Sequence, residues 1–439
     1  MSKKLTAVVL AGGAGSRFWP FITSKTLFPF FGKPLFDFSV LAGLPMEVDS
    51  IVIVSNNENK EAIRALKLPK PSVTVLQSRP LGMADALLSA SGELQNSQLL
   101  VIIGDDVSHP SLLGNVLSYA RKESQAFAVL PGWKTPHYFP GGYLRVTGNR
   151  VAGIVEKPQP DAVPSPYVSI SGHYISDSNL LFSELKRVSG ASDDAYEQAL
   201  TMLAIRQNIL FMPYKGEFSS LKYPWNVLDT LAVLFATHGK SRKGKNVEIK
   251  SNVVLEGQVY IGDNVKVHEN TKIVGPAFIG EGTIIGNNNI IRQSHIGANC
   301  VTGFNTDITR SYVGDHCWFH SNYVGDSVVM DNVSMGSGAK LANLRLDDGE
   351  ISSVVKGVKT PTGKTKLGAM IAPGARIGVN ASIMPGVKIG AGSYVGSGVV
   401  LDRDVSEHSF VSLNKNSCSV SSNTKQEGSV SREAFKKVL

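Results

Sequence analysis

The first chemically distinctive feature of the sequence is a glycine-rich segment at residues 10–17, which follows a short apolar run. Glycine allows backbone N–H groups to come close to phosphate oxygens where a strand leads into a helix. The segment lacks the Gly-Lys-Ser/Thr ending of a Walker loop and is not a clean G-x-G-x-x-G motif. Arg17 and Lys25 supply cations that offset the charge of a triphosphate and of departing pyrophosphate. These residues indicate a nucleotide-phosphate site.

The elements that position this site are predicted from alternation along the chain. Apolar runs at 7–10, 51–54, 73–76 and 99–103 alternate with helical stretches such as 61–66 and 83–94. Such alternation is typical of a mostly parallel sheet with helices on both faces. Residues 239–245 are basic and contain no apolar side chain, which predicts a linker or an exposed turn. We therefore expect one domain at 1–240 and a linker at 241–247.

Beyond residue 247, aliphatic side chains recur every six residues. The positions are Leu255, Ile261, Val267, Ile273, Ile279, Ile285 and Ile291, then Ile371, Ile377, Ile383, Ile389, Val395 and Leu401. This period fits a solenoid of triangular coils, with the aliphatic side chain inside and small residues at the corners. Amphipathic strands of a sandwich are the alternative, and two unbroken series disfavour it. The solenoid is predicted at 248–412.

Two parts of the second half depart from this period. Residues 296–370 are irregular and contain a loop-like insert at 347–366, rich in Gly, Lys and Ser. Residues 413–439 are predicted as a tail, because 414–425 have few apolar side chains and 431–438 suit at most a short helix.

Composition narrows the class of protein. The chain has 439 residues, a net charge of +8 and a mean hydropathy of +0.01, which suits more than one folded domain. The positive charge is spread along the chain without a dense Lys/Arg block of the nucleic-acid kind, and an anionic small substrate explains it as well as a polymer does. We expect no nucleic-acid partner. Three cysteines without a CxxC pair predict neither a disulfide framework nor a zinc ribbon. No apolar run reaches about 18 residues, and the N-terminus does not resemble a signal peptide, so we expect a soluble cytoplasmic protein without membrane contact.

Residues 10–17, Lys25 and the segment at 32–35 together resemble the signature of the sugar-1-phosphate nucleotidylyltransferases. These enzymes join a nucleoside triphosphate to a sugar 1-phosphate and release pyrophosphate. The resemblance implies an α/β fold, a Rossmann-like mixed-sheet nucleotidyltransferase domain. It also implies that Arg17 and Lys25 are catalytic. The nucleotide-binding residues that it implies are Leu10, Ala11, Gly12, Gly13, Gly15, Gln77 and Gly82.

Later segments resemble the same family in the same order. Asp105 ends an apolar strand where the family has a magnesium ligand, and residues 223–226 resemble the segment with the second ligand, here Asn226 with Asp229 as a fallback. The sugar-binding segments imply roles for Gly142, for Glu156 on sugar hydroxyls and for Lys157 on the sugar phosphate. The identity of the nucleobase stays open because Met83 replaces a family Thr, and the identity of the sugar stays open because Ile170 replaces a sugar-contacting Asn.

The resemblance implies a reaction without a protein base. Lys157 orients the sugar phosphate, which attacks the α-phosphorus in line and is already ionised. Arg17 and Lys25 offset the charge of the leaving pyrophosphate. The resemblance also implies that Asp105 and Asn226 would hold a magnesium ion, which would neutralise phosphate charge.

The second half resembles left-handed parallel β-helices built from hexapeptide repeats, which commonly assemble as trimers. Residues 319–326 and 336–343 resemble the acetyltransferase part of bifunctional GlmU-type enzymes, and 342–347 look closest to the archaeal type. This implies acetyl-CoA as co-substrate and His320 as the base that takes the amine proton. The implied contacts to the amino-sugar phosphate are Arg292, Arg310, Tyr323 and Asn343.

Three functions stay open from sequence. The favoured one is a bifunctional enzyme that acetylates an amino-sugar 1-phosphate and makes a nucleotide sugar, working as a homotrimer. The runner-up is a nucleotidylyltransferase whose β-helix is a trimerisation or allosteric platform. The third is a non-catalytic regulatory subunit, which the presence of Arg17, Lys25, Asp105, Glu156 and Lys157 disfavours.

Overall fold

The computed structural model describes residues 3–188, 194–414 and 417–423. The chain divides into two compact units, Met1–Lys240 and Ser241–Leu439. Each unit has its own hydrophobic core. Among the described residues, no helix is both long and apolar enough to cross a membrane.

The first unit is organised around a ten-stranded mixed sheet. Its strands are β1 (Lys4–Leu10), β2 (Ser50–Ser55), β3 (Ser72–Leu76), β4 (Ser97–Ile103), β5 (Ala128–Lys134), β6 (Gly142–Thr147), β7 (Arg150–Glu156), β8 (Tyr167–Ser169), β9 (His173–Ile175) and β10 (Ile209–Tyr214). Their spatial order is β8-β6-β7-β10-β5-β9-β4-β1-β2-β3. The end formed by β4, β1, β2 and β3 is parallel, and β9 runs antiparallel to both β4 and β5. The parallel end brings the exits of β1 and β4 to one edge.

Helices cover both faces of this sheet. They are α1 (Leu35–Ser39), α2 (Lys60–Arg64), α3 (Gly82–Ser89), α4 (Ser111–Lys122), α5 (Ser178–Val188), α6 (Ala195–Ala204) and α7 (Asn226–His238). In β1, Val8 and Leu10 belong to one core, and Ala7 and Val9 to the core on the other face. A strand that is buried on both faces reads as a continuous apolar run, which is why the sequence located it. The predicted helix at 83–94 is instead α3 followed by a separate 3-10 turn, Ser91–Leu94.

Two short antiparallel pairs complete the first unit. One joins Pro29–Phe30 to Lys33–Pro34, and the other joins Asp106–Ser108 to Phe218–Ser220. The second pair brings a segment from the end of the unit next to the residues that follow β4.

The second unit is a left-handed parallel β-helix of three sheets. Sheet I contains Arg242–Lys243, Val259–Ile261, Ala277–Ile279, His295–Ile296, Tyr312–Val313, Val328–Val329, Met370–Ile371 and Lys388–Ile389. Sheet II contains Glu248–Ile249, Lys266–Val267, Ile284–Ile285, Val301–Thr302, Trp318–Phe319, Ser334–Met335, Arg376–Ile377, Tyr394–Val395, Ser409–Asn414 and Ser417–Ser422. Sheet III contains Val254–Glu256, Lys272–Val274, Ile290–Arg292, Asp307–Thr309, Tyr323–Gly325, Lys340–Leu341, Ser382–Ile383 and Val400–Leu401.

The repeated aliphatic side chains fill the β-helix as predicted, with one exception. Ile273 and Ile285 are fully buried in its core, but Leu255 is 42% exposed because it lies in an end coil with little chain beyond it. The corners are formed by asparagine as well as by glycine. Asn264 and Asn270 have φ of 58° and 61°, in the left-handed region that asparagine tolerates better than most residues.

The predicted linker and tail boundaries of the β-helix need correction. Arg242–Lys243 already forms the first strand of sheet I and pairs with Tyr260 and Ile261, so 241–247 is not a free linker. Its polar composition is that of a terminal coil with a solvated outer side. Ser417–Ser422 pairs antiparallel with Ser409–Asn414, so the β-helix continues into the predicted tail at 413–439. The expected helix at 431–438 lies outside the described residues.

The irregular central region continues the same coils with shorter turns. The inward residues Ile291 and Ile296, and likewise Ile308 and Val313, are five residues apart, and all are fully buried. The insert is a hairpin rather than a loop, since Ile351–Val355 pairs with Val358–Lys364. The six-residue period is interrupted in this region because a coil can be one residue shorter while its aliphatic side chains still point into the core.

Candidate active sites

A cavity of about 440 Å³ lies at the carboxyl ends of β1 and β4. Of the predicted site residues, it is lined by Leu10, Ala11, Gly12, Gly13, Gly15, Arg17, Lys25, Gln77, Gly82 and Asp105. Ligands commonly bind in such a crevice outside the carboxyl ends of parallel strands. The structure thus brings the predicted nucleotide residues and the two predicted catalytic cations together.

Side chains from neighbouring elements hold the glycine-rich loop. The Asn59 amide donates to the Ala11 carbonyl at 2.8 Å, and the Asn56 amide donates to the Gly13 carbonyl at 3.2 Å. The Gln77 amide donates to the Gly82 carbonyl at 3.1 Å and to Asp85 Oδ2 at 2.8 Å. The two asparagine bonds fix the backbone of the glycine-rich loop, and the Gln77 bonds fix the start of α3 beside it. Asn56 and Asn59 belong to no motif that would predict this role from the sequence.

Acidic groups follow β4 at the edge of the cavity. Asp105 forms an ion pair with Lys25, and burial together with the charge of Asp105 raises the pKa of Asp106 to about 6. The Ser220 hydroxyl donates a hydrogen bond to Asp106, and the Ser171 N–H donates to it at 3.3 Å. In the described ranges, no three His, Cys, Asp or Glu side chains converge closely enough to bind a metal by themselves.

The segment at 220–226 contributes different side chains from those predicted. The side-chain oxygen of Asn226, Oδ1, accepts a hydrogen bond from the Tyr223 backbone N–H at 2.9 Å. Its side-chain Nδ2 donates to Asp229 Oδ2 at 3.1 Å. Asn226 therefore stabilises the turn at the start of α7. Ser220 reaches Asp106, and Lys222 lines the cavity. Neither residue is predicted from the sequence, although Lys222 directly precedes the motif at 223–226.

The predicted sugar-phosphate residues lie where β6 and β7 pair. Gly142 is opposite Glu156, and a Cβ on Gly142 would lie 3.2 Å from Glu156 Oε2. Glu156 Oε1 and Lys157 Nζ are 2.8 Å apart. The negative charge of the Glu156 carboxylate favours the protonated form of Lys222, and Lys222 lines the nucleotide cavity. Lys222 therefore connects this group of residues to the cavity.

The position that replaces the family's sugar-contacting Asn is part of the core. Ile170 has no exposed surface and packs in the core on one face of the sheet. Nearby, His173 bonds Ser169 Oγ and Tyr196 Oη, each at 2.9 Å. Burial lowers the pKa of His173 to about 4, so this ring is neutral.

Of the four predicted sugar-phosphate residues of the second unit, Arg292 and Tyr323 lie in strands of sheet III, and Arg310 and Asn343 follow its strands Asp307–Thr309 and Lys340–Leu341. Asp326 accepts two hydrogen bonds from Arg310, at 2.6 and 2.7 Å, and one from the Asn343 amide at 2.5 Å. A Cβ on Gly325 would lie 2.6 Å from both Asn343 Nδ2 and Tyr323 Oη. The absence of a side chain at 325 therefore lets these two groups share one place beside Asp326.

Arg292 belongs to the same sheet but has a separate partner. Its guanidinium donates to both oxygens of Asp307, at 2.8 and 3.1 Å. Asp307 pairs in register with Tyr323 on the next coil. Arg292 and Arg310 are thus each paired with a carboxylate of the next coil.

His320 occupies the corner that follows Trp318–Phe319 in sheet II. The His320 side chain is exposed, and its backbone N–H donates to Asn322 Oδ1 at 2.5 Å. Asn322 is buried, and its amide donates to the Gly336 and Ala339 carbonyls at 2.8 and 3.0 Å. The interior asparagine fixes the backbone of the corner while the imidazole remains accessible.

Comparison with known proteins agrees with both halves of the structure. The family model described as nucleotidyl transferase matches residues 6–217, and the bacterial transferase hexapeptide model (six repeats) matches 368–403. A curated protein of Sulfurisphaera tokodaii, named bifunctional sugar-1-phosphate nucleotidylyltransferase/acetyltransferase, is 30% identical over 422 residues, which are 92% of this chain and 99% of that protein. This chain belongs to that bifunctional nucleotidylyltransferase/acetyltransferase family.

Other relatives of this bifunctional family member cover the whole chain or its first part. Bifunctional protein GlmU of Methanococcus maripaludis is 27% identical over 93% of this chain and 97% of its own length. A UTP–glucose-1-phosphate uridylyltransferase of Streptococcus pyogenes is 25% identical over 58% of this chain and 97% of its own length. The predicted class, a sugar-1-phosphate nucleotidylyltransferase joined to an acetyltransferase-type β-helix, is confirmed by the full-length relatives.

Proposed function

We propose that the cavity of the first unit joins a nucleoside triphosphate to a sugar 1-phosphate. The observation that carries this proposal is the convergence of the glycine-rich loop, Arg17, Lys25 and Asp105 around one cavity. The loop supplies backbone N–H groups for phosphate oxygens, and the two cations supply positive charge. Gln77 and Gly82 line the cavity at the side of the loop and are proposed as contacts to the nucleoside.

The proposed reaction needs positioning and charge rather than a base. An oxygen of the sugar phosphate forms a bond to the α-phosphorus while the bond to the bridging oxygen breaks, and pyrophosphate leaves with that oxygen. Lys157 orients the attacking phosphate, and Glu156 accepts hydrogen bonds from sugar hydroxyls. Arg17 and Lys25 stabilise the negative charge that develops on the leaving group.

The residues after β4 fit a magnesium ion in part. Asp105 offers a carboxylate at the cavity edge beside the buried Asp106, and Mg²⁺ prefers such oxygen ligands. The Asn226 carbonyl is already bonded to the Tyr223 N–H, so we propose Asp105 as the protein's ligand, while Asn226 stays a prediction. When bound, Mg²⁺ would neutralise phosphate charge.

For the second unit we propose acetyl transfer from acetyl-CoA to an amino-sugar 1-phosphate. Its support is the grouping of Arg310, Tyr323 and Asn343 beside Asp326, with His320 at a corner three residues before Tyr323. The amine nitrogen forms a bond to the acetyl carbon and the thiolate of coenzyme A leaves. His320 takes the amine proton and returns it to that thiolate.

Three copies of the chain are part of this proposal. Sheet III exposes apolar side chains at several levels, with Val254, Ile290 and Val400 44%, 42% and 58% exposed. Exposed apolar side chains that line one face favour an interface, and a homotrimer would cover them with further copies of the chain.

Pyrophosphate release is the experiment that tests the first activity. The protein and Mg²⁺ are combined with UTP, dTTP, GTP, CTP or ATP, each against the 1-phosphates of glucose, N-acetylglucosamine, glucosamine, galactosamine and mannose. We expect release with one or a few pairs, and a loss of at least about 100-fold in Lys25→Met. No release with any pair from a folded protein would favour the regulatory subunit.

Acetyl transfer is tested with His320→Ala and a matched histidine. His268 follows Lys266–Val267 as His320 follows Trp318–Phe319 in the same sheet, so it occupies an equivalent corner. With acetyl-CoA and glucosamine 1-phosphate, we expect His320→Ala to lose about 100-fold or more of thiol release and His268→Ala to lose little. Pyrophosphate release stays unchanged in both. If the wild-type protein showed no acetyl transfer, the runner-up function would be favoured, a nucleotidylyltransferase whose β-helix is a platform only.

A further inference from the structure

Lys222 lines the nucleotide cavity with Arg17 and Lys25, although it comes from the far end of the first unit. Strand pairing explains its position. Phe218–Ser220 pairs with Asp106–Ser108, and the next N–H along, that of Leu221, donates to the Asp105 carbonyl at 3.0 Å. The backbone of Lys222 is therefore fixed beside the residues that follow β4.

The ammonium of Lys222 is held from the other side by the loop at 139–141. It donates to the Pro140 carbonyl and lies 4.1 Å from the centre of the Phe139 ring. The next residue, Gly141, accepts the backbone N–H of Lys157 at 3.1 Å. One short loop thus holds both Lys222 and the start of the sugar-phosphate segment.

The charges that act on Lys222 come from both groups of predicted residues. Burial lowers the pKa of Lys222 to about 8, while the carboxylates of Asp106, Glu156 and Asp105 favour its positive charge and the Arg17 guanidinium opposes it. Arg17 and Asp105 line the nucleotide cavity, whereas Glu156 belongs to the sugar-phosphate segment. An ammonium near all of these groups lies where the two substrates must meet.

The chemistry of this position suits a phosphate. A lysine ammonium has three N–H donors, and the Pro140 carbonyl accepts one of them. The other two suit the oxygens of an anion, and a partly buried ammonium is screened less by solvent than a surface one.

We propose that Lys222 binds the reacting phosphates where the nucleotide and sugar subsites meet, and is a catalytic residue of nucleotidyl transfer. This inference rests on the proposed function of the first unit. The phosphate of the sugar and the α-phosphate of the nucleotide approach each other with like charge. A fixed cation between them lowers this repulsion and stabilises the equatorial oxygens in the transition state.

The test uses the full chain with the nucleotide and sugar 1-phosphate pair that gives the fastest pyrophosphate release. Lys222→Met keeps the aliphatic stem over Phe139 and removes the charge. We expect kcat to fall by at least about 100-fold while the Kd of the nucleotide alone changes by less than about threefold. Lys222→Arg keeps the charge and should retain at least about tenfold more activity than Lys222→Met.

A second variant separates chemistry from folding. Lys222→Ala leaves room for a small amine, so added propylammonium should raise its kcat by about tenfold or more, an effect that a structural defect would not show. Lys215→Met, an exposed lysine close by in the chain, should behave as wild type.

The outcomes distinguish this proposal from the one on which it rests. A folded wild type that releases no pyrophosphate overturns the proposed function and the role of Lys222 with it. An active wild type whose Lys222→Met variant keeps its kcat within about threefold overturns the role of Lys222 alone. So does a Lys222→Ala variant whose lost activity does not respond to the amine.

Discussion

Gly12 and Gly13 are neighbours in the nucleotide loop, but their surroundings differ. A Cβ on Gly12 would lie 2.4 Å from Gln77 Oε1, whereas a Cβ on Gly13 would have no atom within 4 Å. Gln77 is buried and its amide is bonded to Gly82 and Asp85, so it has little freedom to move. At the scale of single residues, the close approach of one backbone to one side chain therefore selects glycine at position 12.

Replacing these glycines should separate their roles. Gly12→Ala forces Gln77 from its hydrogen bonds, and we expect the free energy of unfolding of the first unit to fall by about 1–3 kcal/mol. Gly13→Ala should change it by less than about 0.5 kcal/mol. Denaturant unfolding without nucleotide measures both. Equal losses in the two variants would contradict the packing described for Gly12.

At the scale of a single element, each coil of the β-helix has buried backbone N–H and C=O groups that need hydrogen-bond partners. Asn289 is fully buried, and its amide donates to the Gly286 and Gly303 carbonyls, both at 2.8 Å. Its carbonyl accepts the Thr306 N–H at 2.6 Å. A single side chain thus connects two successive coils, and Asn322 does the same beneath the His320 corner.

Removing the interior asparagine should destabilise the β-helix. Asn289→Ala leaves two carbonyls and one N–H without this partner, and we expect a loss of about 2–4 kcal/mol in the free energy of unfolding of the second unit. Asn287→Ala is the matched control, because that amide donates only to the exposed Glu269 carboxylate, at 2.8 Å. The control should lose less than about 0.5 kcal/mol. Denaturant unfolding followed by circular dichroism distinguishes the two, and a stable Asn289→Ala would contradict this account.

At the scale of the whole molecule, each unit contains a buried neutral histidine. His173 bonds Ser169 and Tyr196 in the first unit, and His295 stacks between Phe278 and Tyr312, at 4.8 and 4.6 Å, in the second. Burial lowers the pKa of each ring to about 4. The unfolded chain, with a histidine pKa near 6.5, therefore binds more protons than the folded one between these values.

Acid should therefore destabilise both units in the same pH window. Stability from these histidines is complete above about pH 6.5 and is lost as the pH falls toward 4, so each histidine should cost its unit about 2 kcal/mol between pH 7.5 and pH 5. In the first unit the raised pKa of Asp106 offsets part of this loss, because protonation of that buried carboxyl favours the folded state in the same range. Calorimetric unfolding at the two pH values measures the loss. His295→Phe keeps the ring stack and removes the titrating group, and it should reduce the pH response of the second unit alone. An unchanged response in that variant would contradict the role of His295.

The sequence by itself determined the parts of this protein that depend on local pattern. The glycine-rich loop, Arg17 and Lys25 lie within one strand, turn and short segment, so their spacing in the chain already predicts that they meet. The six-residue period predicts the β-helix because every coil repeats the same interior environment. Both predictions rest on contacts between residues that are close in sequence or related by a repeat.

The tertiary structure decided the parts that depend on distant pairing. Lys222 reaches the cavity and Ser220 reaches Asp106 because Phe218–Ser220 pairs with Asp106–Ser108, and no local pattern encodes that partner. The Asn226 side chain is bonded to the Tyr223 N–H within its own turn. Arg242–Lys243 and Ser417–Ser422 joined the β-helix because an existing coil offers backbone N–H and C=O groups to any strand beside it. The spacing of apolar side chains predicts which residues are buried. It does not predict which distant strands pair, and that pairing determines where polar residues such as Lys222 lie.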